Sequence, residues 1–154
     1  MKAVIQRVSK ASVEISEQIV GEIDTGLVIL IGIHKFDQEA DAAYLAKKIA
    51  RLRIFEDGQH KMNINLLENG GKALVISQFT LYANTRKGRR PSFIEAAEPD
   101  IAIPLYLHFI HCLENEGVKV ERGEFGAQMM VKIFNQGPVT IVIYSEDRLK
   151  PRRQ

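Results

Sequence analysis

Four short stretches rich in valine and isoleucine, residues 2–9, 12–16, 19–23 and 27–33, follow one another with only two or three residues between them. Each alternates or runs apolar like a strand, and Gly21, Gly26 and the turn at Asp24-Thr25-Gly26 punctuate them. Parallel neighbours need a crossover of a dozen or more residues, so gaps this short predict an antiparallel meander. A helix follows. Ala42, Leu45, Ile49 and Leu52 recur at helical spacing, with Asp37 placed to cap the start. Asp37, Glu39 and Asp41 at the front and Lys47, Lys48 and Arg51 at the back suit the helix dipole.

Further on, residues 53–56 read as a strand before a turn at Asp57-Gly58, and residues 73–81 as a strong strand. The polar segment 83–92 reads as a loop. A second helix is predicted over about 101–116, capped by Asp100 and ended by Gly117, with Leu105, Phe109, Cys112 and Leu113 on its apolar face. Pro104 is tolerable there because it falls in or just after the first turn. Strands at 129–134 and 139–144 close the chain around Asn135-Gln136-Gly137-Pro138. The expectation is a mixed α/β fold: an antiparallel, barrel-like sheet with two main helices packed outside. At 154 residues it makes one domain, 1–149, with a basic tail at 150–154.

Composition excludes several function classes. The longest apolar stretch, 27–33, is interrupted by Gly32 and too short to span a bilayer, and the N-terminus lacks a signal peptide's apolar block. Cys112 is the single cysteine, so intrachain disulfides and cysteine-pair zinc sites are out, which fits the cytoplasm. Net charge is only +2, but basic residues cluster at Arg86, Lys87, Arg89 and Arg90 and again at Arg148, Lys150, Arg152 and Arg153. Such clusters either contact phosphates or are solvated loop and tail charge.

No phosphate-binding glycine loop, HExxH, CxxC or GxSxG motif is present. His108, His111 and Cys112 share helical spacing, but Cys112 lies on the apolar stripe and no fourth ligand is indicated, so a core helix is the better reading than a metal site. Ser77-Gln78-Phe79-Thr80 puts polar groups into an apolar strand, which is costly without partners. The side chains either cap a strand end or mark its opening into a pocket. There backbone N–H groups would hold an oxyanion, and Thr80 reads as a pocket residue and not a nucleophile, because no base lies near it in the sequence and a free hydroxyl is weak at neutral pH. Gly137-Pro138 reads as a hairpin turn or as a rigid element presenting a backbone carbonyl. Arg7, on the face of Ala3 and Ile5, is either an edge residue or a brace for a carbonyl-bearing loop.

Together these residues resemble the D-aminoacyl-tRNA deacylase family. The similarity runs through the opening MKAVIQRV, SQFTL at 77–81, RPSF at 90–93 and NQGPVT at 135–140, and leaves out 150–154. A related animal branch of the fold departs from the SQFT pattern, and this chain keeps it. The resemblance implies a homodimer with its active site at the subunit interface. It implies an editing hydrolase that releases D-amino acids, and glycine mischarged on the alanine tRNA, without cofactor or metal. It also implies a cis Gly137-Pro138 that enters the partner's pocket, grips the substrate amine through two carbonyls and is braced by Arg7. Phe79 and Thr80 N–H groups would polarise the ester, Ser77 and Gln78 would shape the adenosine site, and the terminal 2′-hydroxyl would assist water. Arg86, Lys87, Arg89 and Arg90 would meet tRNA phosphates. A non-catalytic RNA-binding barrel and a small-ester hydrolase built on Thr80 stand as alternatives.

Overall fold

The computed structural model describes residues 1–151, so the tail's Arg152 and Arg153 lie outside the described residues. The chain runs β1 (Lys2–Ile15), β2 (Gln18–Ile23), β3 (Gly26–Gly32), α1 (Glu39–Ala50), β4 (Phe55–Glu56), β5 (Met62–Ile64), β6 (Lys72–Ser77), a 3₁₀ turn (Phe79–Tyr82), α2 (Pro99–Asn115), β7 (Lys119–Arg122), β8 (Met130–Tyr144) and a closing 3₁₀ turn (Ser145–Leu149). No helix among the described residues is long and apolar enough to cross a membrane.

The mixed class and the two helices are as expected. β1 pairs antiparallel with β2, β3 and β8, but β3–β6 and β6–β7 are parallel. Those two pairings are reached by the long excursions through α1 and α2, which supply the crossovers that parallel neighbours require. The segments expected as separate strands at 2–9 and 12–16 form one bent strand, and so do those at 129–134 and 139–144. Both halves of β8 pair with β1, so Gly137-Pro138 is not a hairpin turn.

Both faces of the central strands are buried. Ile5, Leu27, Ile29, Val75, Leu45, Ile49, Phe109 and Leu113 pack in the core beneath the helices. Val8, Val13, Ile23, Val28, Leu74 and Ile76 fill the inside of the curled sheet. Burial on both sides accounts for the unbroken apolar runs in β3 and β6.

The helix caps differ from expectation. Gln38 is the N-cap of α1, and its N–H donates to Asp41 in a capping box. Asp37 instead accepts from the His34 N–H and from the Met1 ammonium. α2 starts two residues earlier than expected, with Glu98 as N-cap and Pro99 at the first position. Pro104 therefore sits in the second turn and leaves the Asp100 carbonyl without its helical donor. Gly117, at φ +95°, ends α2 and lets the Val118 N–H turn back onto the Leu113 carbonyl at 3.1 Å.

Candidate active site

The SQFTL segment leaves the sheet early. Ser77 is the last residue of β6, opposite Ile31, and the Gln78 N–H makes a final bond of 2.8 Å to the Ile31 carbonyl. β3 ends there, so Phe79 and Thr80 open a 3₁₀ turn instead of extending the strand as the alternation predicted. Opening positions of such a turn have no earlier carbonyl to bond. Among the described residues neither the Phe79 nor the Thr80 N–H has a hydrogen-bond acceptor. The Phe79 ring is exposed and meets the edge of Phe93, from the RPSF segment, at 5.0 Å between centroids.

Beside this turn lies a pocket of about 270 Å³. Ser77, Gln78 and Phe79 form one wall, and Phe125, Ala127 and Met129 face them. Thr80 is not among its lining residues; its hydroxyl accepts from the Gln78 amide. No imidazole, amine or carboxylate bonds that hydroxyl among the described residues, so it lacks the base a nucleophile would need. The Phe125–Met129 wall carries no motif, and sequence reasoning missed it.

The Gly137-Pro138 segment lies elsewhere. Gln6 pairs with Thr140 and Val8 with Asn135, so Gln136, Gly137, Pro138 and Val139 all bulge out opposite Arg7. Its ends are tied together: the Val139 N–H donates to Asn135 Oδ1 at 3.2 Å, and the Asn135 amide donates to Thr140 Oγ1 at 2.9 Å. The Gly137–Pro138 bond is cis, Gly137 has φ +125°, and both residues are exposed.

Arg7 is 6% exposed and holds this bulge from below. Nε donates to the Gln136 carbonyl at 3.1 Å, Nη1 to the buried Ile54 carbonyl at 2.8 Å, and Nη2 reaches Glu56 at 3.4 Å. This is the fixed fork of donors that only arginine supplies. Of the two readings of Arg7, the brace is the one observed; its other anchors, Ile54 and Glu56, had no signal in the sequence.

These two halves do not meet within one chain. Ser77 leads across the sheet through Ile31 and Ala3 to Ile143 on β8, and Arg7 lies four residues further along β1. At about 3.3 Å per residue and 4.8 Å per strand, roughly 20 Å measured along the sheet separates Ser77 from the bulge.

Arg86, Lys87, Arg89 and Arg90 all sit exposed on the loop after the 3₁₀ turn. Asn84 and Ser92 exchange N–H···O bonds of 2.8 and 3.0 Å across its base, and none of the four cations has an ion pair among the described residues. On α2, His108 Nε2 lies 3.5 Å from Cys112 Sγ, burial pushes that thiol up, and no metal-ligand cluster forms among the described residues.

A family model described as D-Tyr-tRNA(Tyr) deacylase matches residues 4–144. The chain belongs to that family. A D-aminoacyl-tRNA deacylase of Dehalococcoides mccartyi is 57% identical over 152 residues, covering 99% of each chain. One from Thermus aquaticus is 55% identical over 148 residues, covering 96% of this chain and 97% of that one. Among solved structures, the c-Myc DNA Unwinding Element Binding Protein superposes with a TM-score of 0.86 at 35% identity, over 93% of this chain and 97% of that one. A probable eukaryotic D-amino acid tRNA deacylase gives 0.80 at 16% identity, over 92% and 97%, a likeness of fold. The family match spans both helices and nearly all of the sheet.

Proposed function

We propose that this deacylase hydrolyses the ester between a D-amino acid and the 3′-terminal ribose of tRNA in the cytoplasm, as a homodimer in which each Gly137-Pro138 bulge enters the partner's pocket at Ser77–Phe79. The observation that carries this reading is the braced bulge, exposed and rigid, yet roughly 20 Å along the sheet from the pocket of its own chain. Only a second copy brings the two halves together. The strand that carries the bulge also exposes Met130, Phe134, Val142 and Tyr144, an apolar row suited to burial against that copy.

In this site the backbone carbonyls of Gly137 and Pro138 accept from the substrate α-ammonium, and the Phe79 and Thr80 N–H groups hold the ester oxygen as it gains negative charge. Water, assisted by the neighbouring 2′-hydroxyl, adds to the carbonyl carbon. The bond to the ribose 3′-oxygen then breaks, which leaves a free amino acid and a tRNA 3′-hydroxyl. With amine and carbonyl fixed, the side chain of an L substrate is driven into backbone, whereas a D side chain points outward. Enantiomers match in volume and polarity, so selection has to be directional. Glycine, with no side chain, passes the same filter, including glycine mischarged on the alanine tRNA. Ser77 and Gln78 shape the adenosine end, and Arg86, Lys87, Arg89 and Arg90 meet phosphates near it.

No side-chain nucleophile takes part, so Thr80→Ala should keep hydrolysis of D-tyrosyl-tRNA within about tenfold of wild type, since positioning and fixed dipoles supply most of the rate. The same assay on tRNA ending in 2′-deoxyadenosine should lose most of the rate. Abolished activity in Thr80→Ala with intact tRNA binding, or full activity on the deoxy substrate, would contradict this mechanism.

A further inference from the structure

Between the C-terminal half of α1 and the closing 3₁₀ turn lies a groove of about 730 Å³, lined by Lys47, Lys48, Arg51, Arg53, Arg148 and Lys150. Asp147 is the one acid in its lining. Three of the cations are engaged: Arg51 with Glu116 at 3.0 Å, Arg148 with Asp41 at 2.9 Å and Lys150 with Asp147 at 2.7 Å. Lys47, Lys48 and Arg53 are exposed and have no carboxylate within 4.0 Å among the described residues. Six cations against these three acids leave an excess of three positive charges in one groove, while the whole chain carries only +2.

Helix electrostatics explains part of this. Lys47 and Lys48 stand in the last turn of α1, where the dipole favours cations. Arg53 lies beyond the helix and gains nothing from it. The apolar part of the lining is confined to the half-buried Tyr44 and Leu52 and the exposed ring of Pro151, too little for membrane insertion or an apolar protein partner.

The groove shares Arg148 with a second hollow of about 660 Å³, whose wall includes Arg86 from the basic loop and Tyr82 from the turn that begins at Phe79. Arg148 thus links the hollow at Tyr82 and Arg86 to the groove at Lys47, Lys48 and Arg53.

We infer that this groove grips the phosphodiester backbone of the paired acceptor arm of tRNA while the unpaired 3′ end reaches the Phe79–Thr80 turn. The inference rests on the function proposed above. Ammonium and guanidinium groups bind phosphate oxygens without reading bases, and binding of this kind weakens steeply with salt. A grip of that sort does not depend on the sequence of the tRNA.

The test is the double variant Lys47→Ala/Lys48→Ala, assayed on full-length D-tyrosyl-tRNA and on the D-tyrosyl ester of a short oligonucleotide ending in CCA. Both positions are exposed on a helix and alanine is the best helix former, so the fold is kept. On full-length substrate, KM should rise about tenfold with kcat within twofold, and the slope of log kcat/KM against log salt should flatten by about two. Hydrolysis of the short ester should be unchanged, and Lys47→Arg/Lys48→Arg should behave as wild type. An unchanged KM for full-length tRNA, or an equal loss on both substrates, would overturn the groove. Wild-type protein inactive on both esters would instead overturn the proposed function, and this inference with it.

Discussion

Gly137→Ala should lower kcat/KM on D-tyrosyl-tRNA about a hundredfold while leaving the fold standing. Gly137 has φ +125°, a conformation that costs a residue with a Cβ about 1–3 kcal/mol. The added methyl would also lie 2.9 Å from Val139 Cγ2 and 3.0 Å from Arg7 Nη2. A lone arginine tip gives way easily, but this one is held by two carbonyls and a carboxylate. The bulge therefore has to move, and a misplacement on the order of 1 Å at a reacting centre is enough for a loss of that size. The cost in stability should not exceed that strain, because the bulge is exposed and carries no ladder bonds of its own. Wild-type kcat/KM in Gly137→Ala would mean that the bulge does not touch the substrate.

Arg7→Ala should damage stability and activity together. Its buried Ile54 carbonyl loses its only donor from that side chain, at about 1–3 kcal/mol. The Gln136 carbonyl, on an exposed residue, regains water, and half-exposed Glu56 loses an ion pair worth little. Together with lost packing of the arginine stem, about 2–3 kcal/mol is expected, or a melting point roughly 5–10 °C lower for a chain of this size. Hydrolysis should fall further than stability alone explains, because the bulge loses its brace. Arg7→Lys should recover part of the stability and little of the activity, since one ammonium cannot reach three acceptors set around a planar fork. Thermal denaturation and kcat/KM measured well below the melting point separate the two effects. Because the added methyl of Gly137→Ala points at Arg7, the two substitutions should combine non-additively.

Much of this architecture is legible in the residues, and the exceptions have physical causes. Strand spacing reveals that β1, β2 and β3 pair antiparallel, but not their order: β3 pairs with the first half of β1 and not with β2, so the expected meander is replaced by the order β2-β1-β3. It does not reveal that β7, the short and mostly charged segment Lys119–Arg122, completes the sheet in parallel with β6. The alternation in SQFTL reads as strand because periodicity cannot register where the neighbour ends; β3 runs out at Gly32, and Phe79 and Thr80 turn away. Gly137-Pro138 reads locally as a hairpin, and only the register on either side of Arg7 makes it a bulge within one strand. Arg7 itself is legible as a charge on a buried face that must have acceptors. Which acceptors it has depends on Ile54 and Glu56, brought there by the tertiary fold. The Phe125–Met129 wall is apolar and motif-free, so nothing local distinguishes it from core. The groove at Lys47, Lys48 and Arg53 joins two segments that sequence reading treats separately, as helix-dipole lysines and as tail charge.

The central claim is chiral hydrolysis, and its most direct test compares release of D-tyrosine and L-tyrosine from the same tRNA at equal enzyme and salt. Rapid release of the D ester with the L ester spared is the predicted result. Release of neither would contradict the hydrolase and favour a protein that only binds RNA, and release of both at similar rates would contradict the directional filter at Gly137-Pro138.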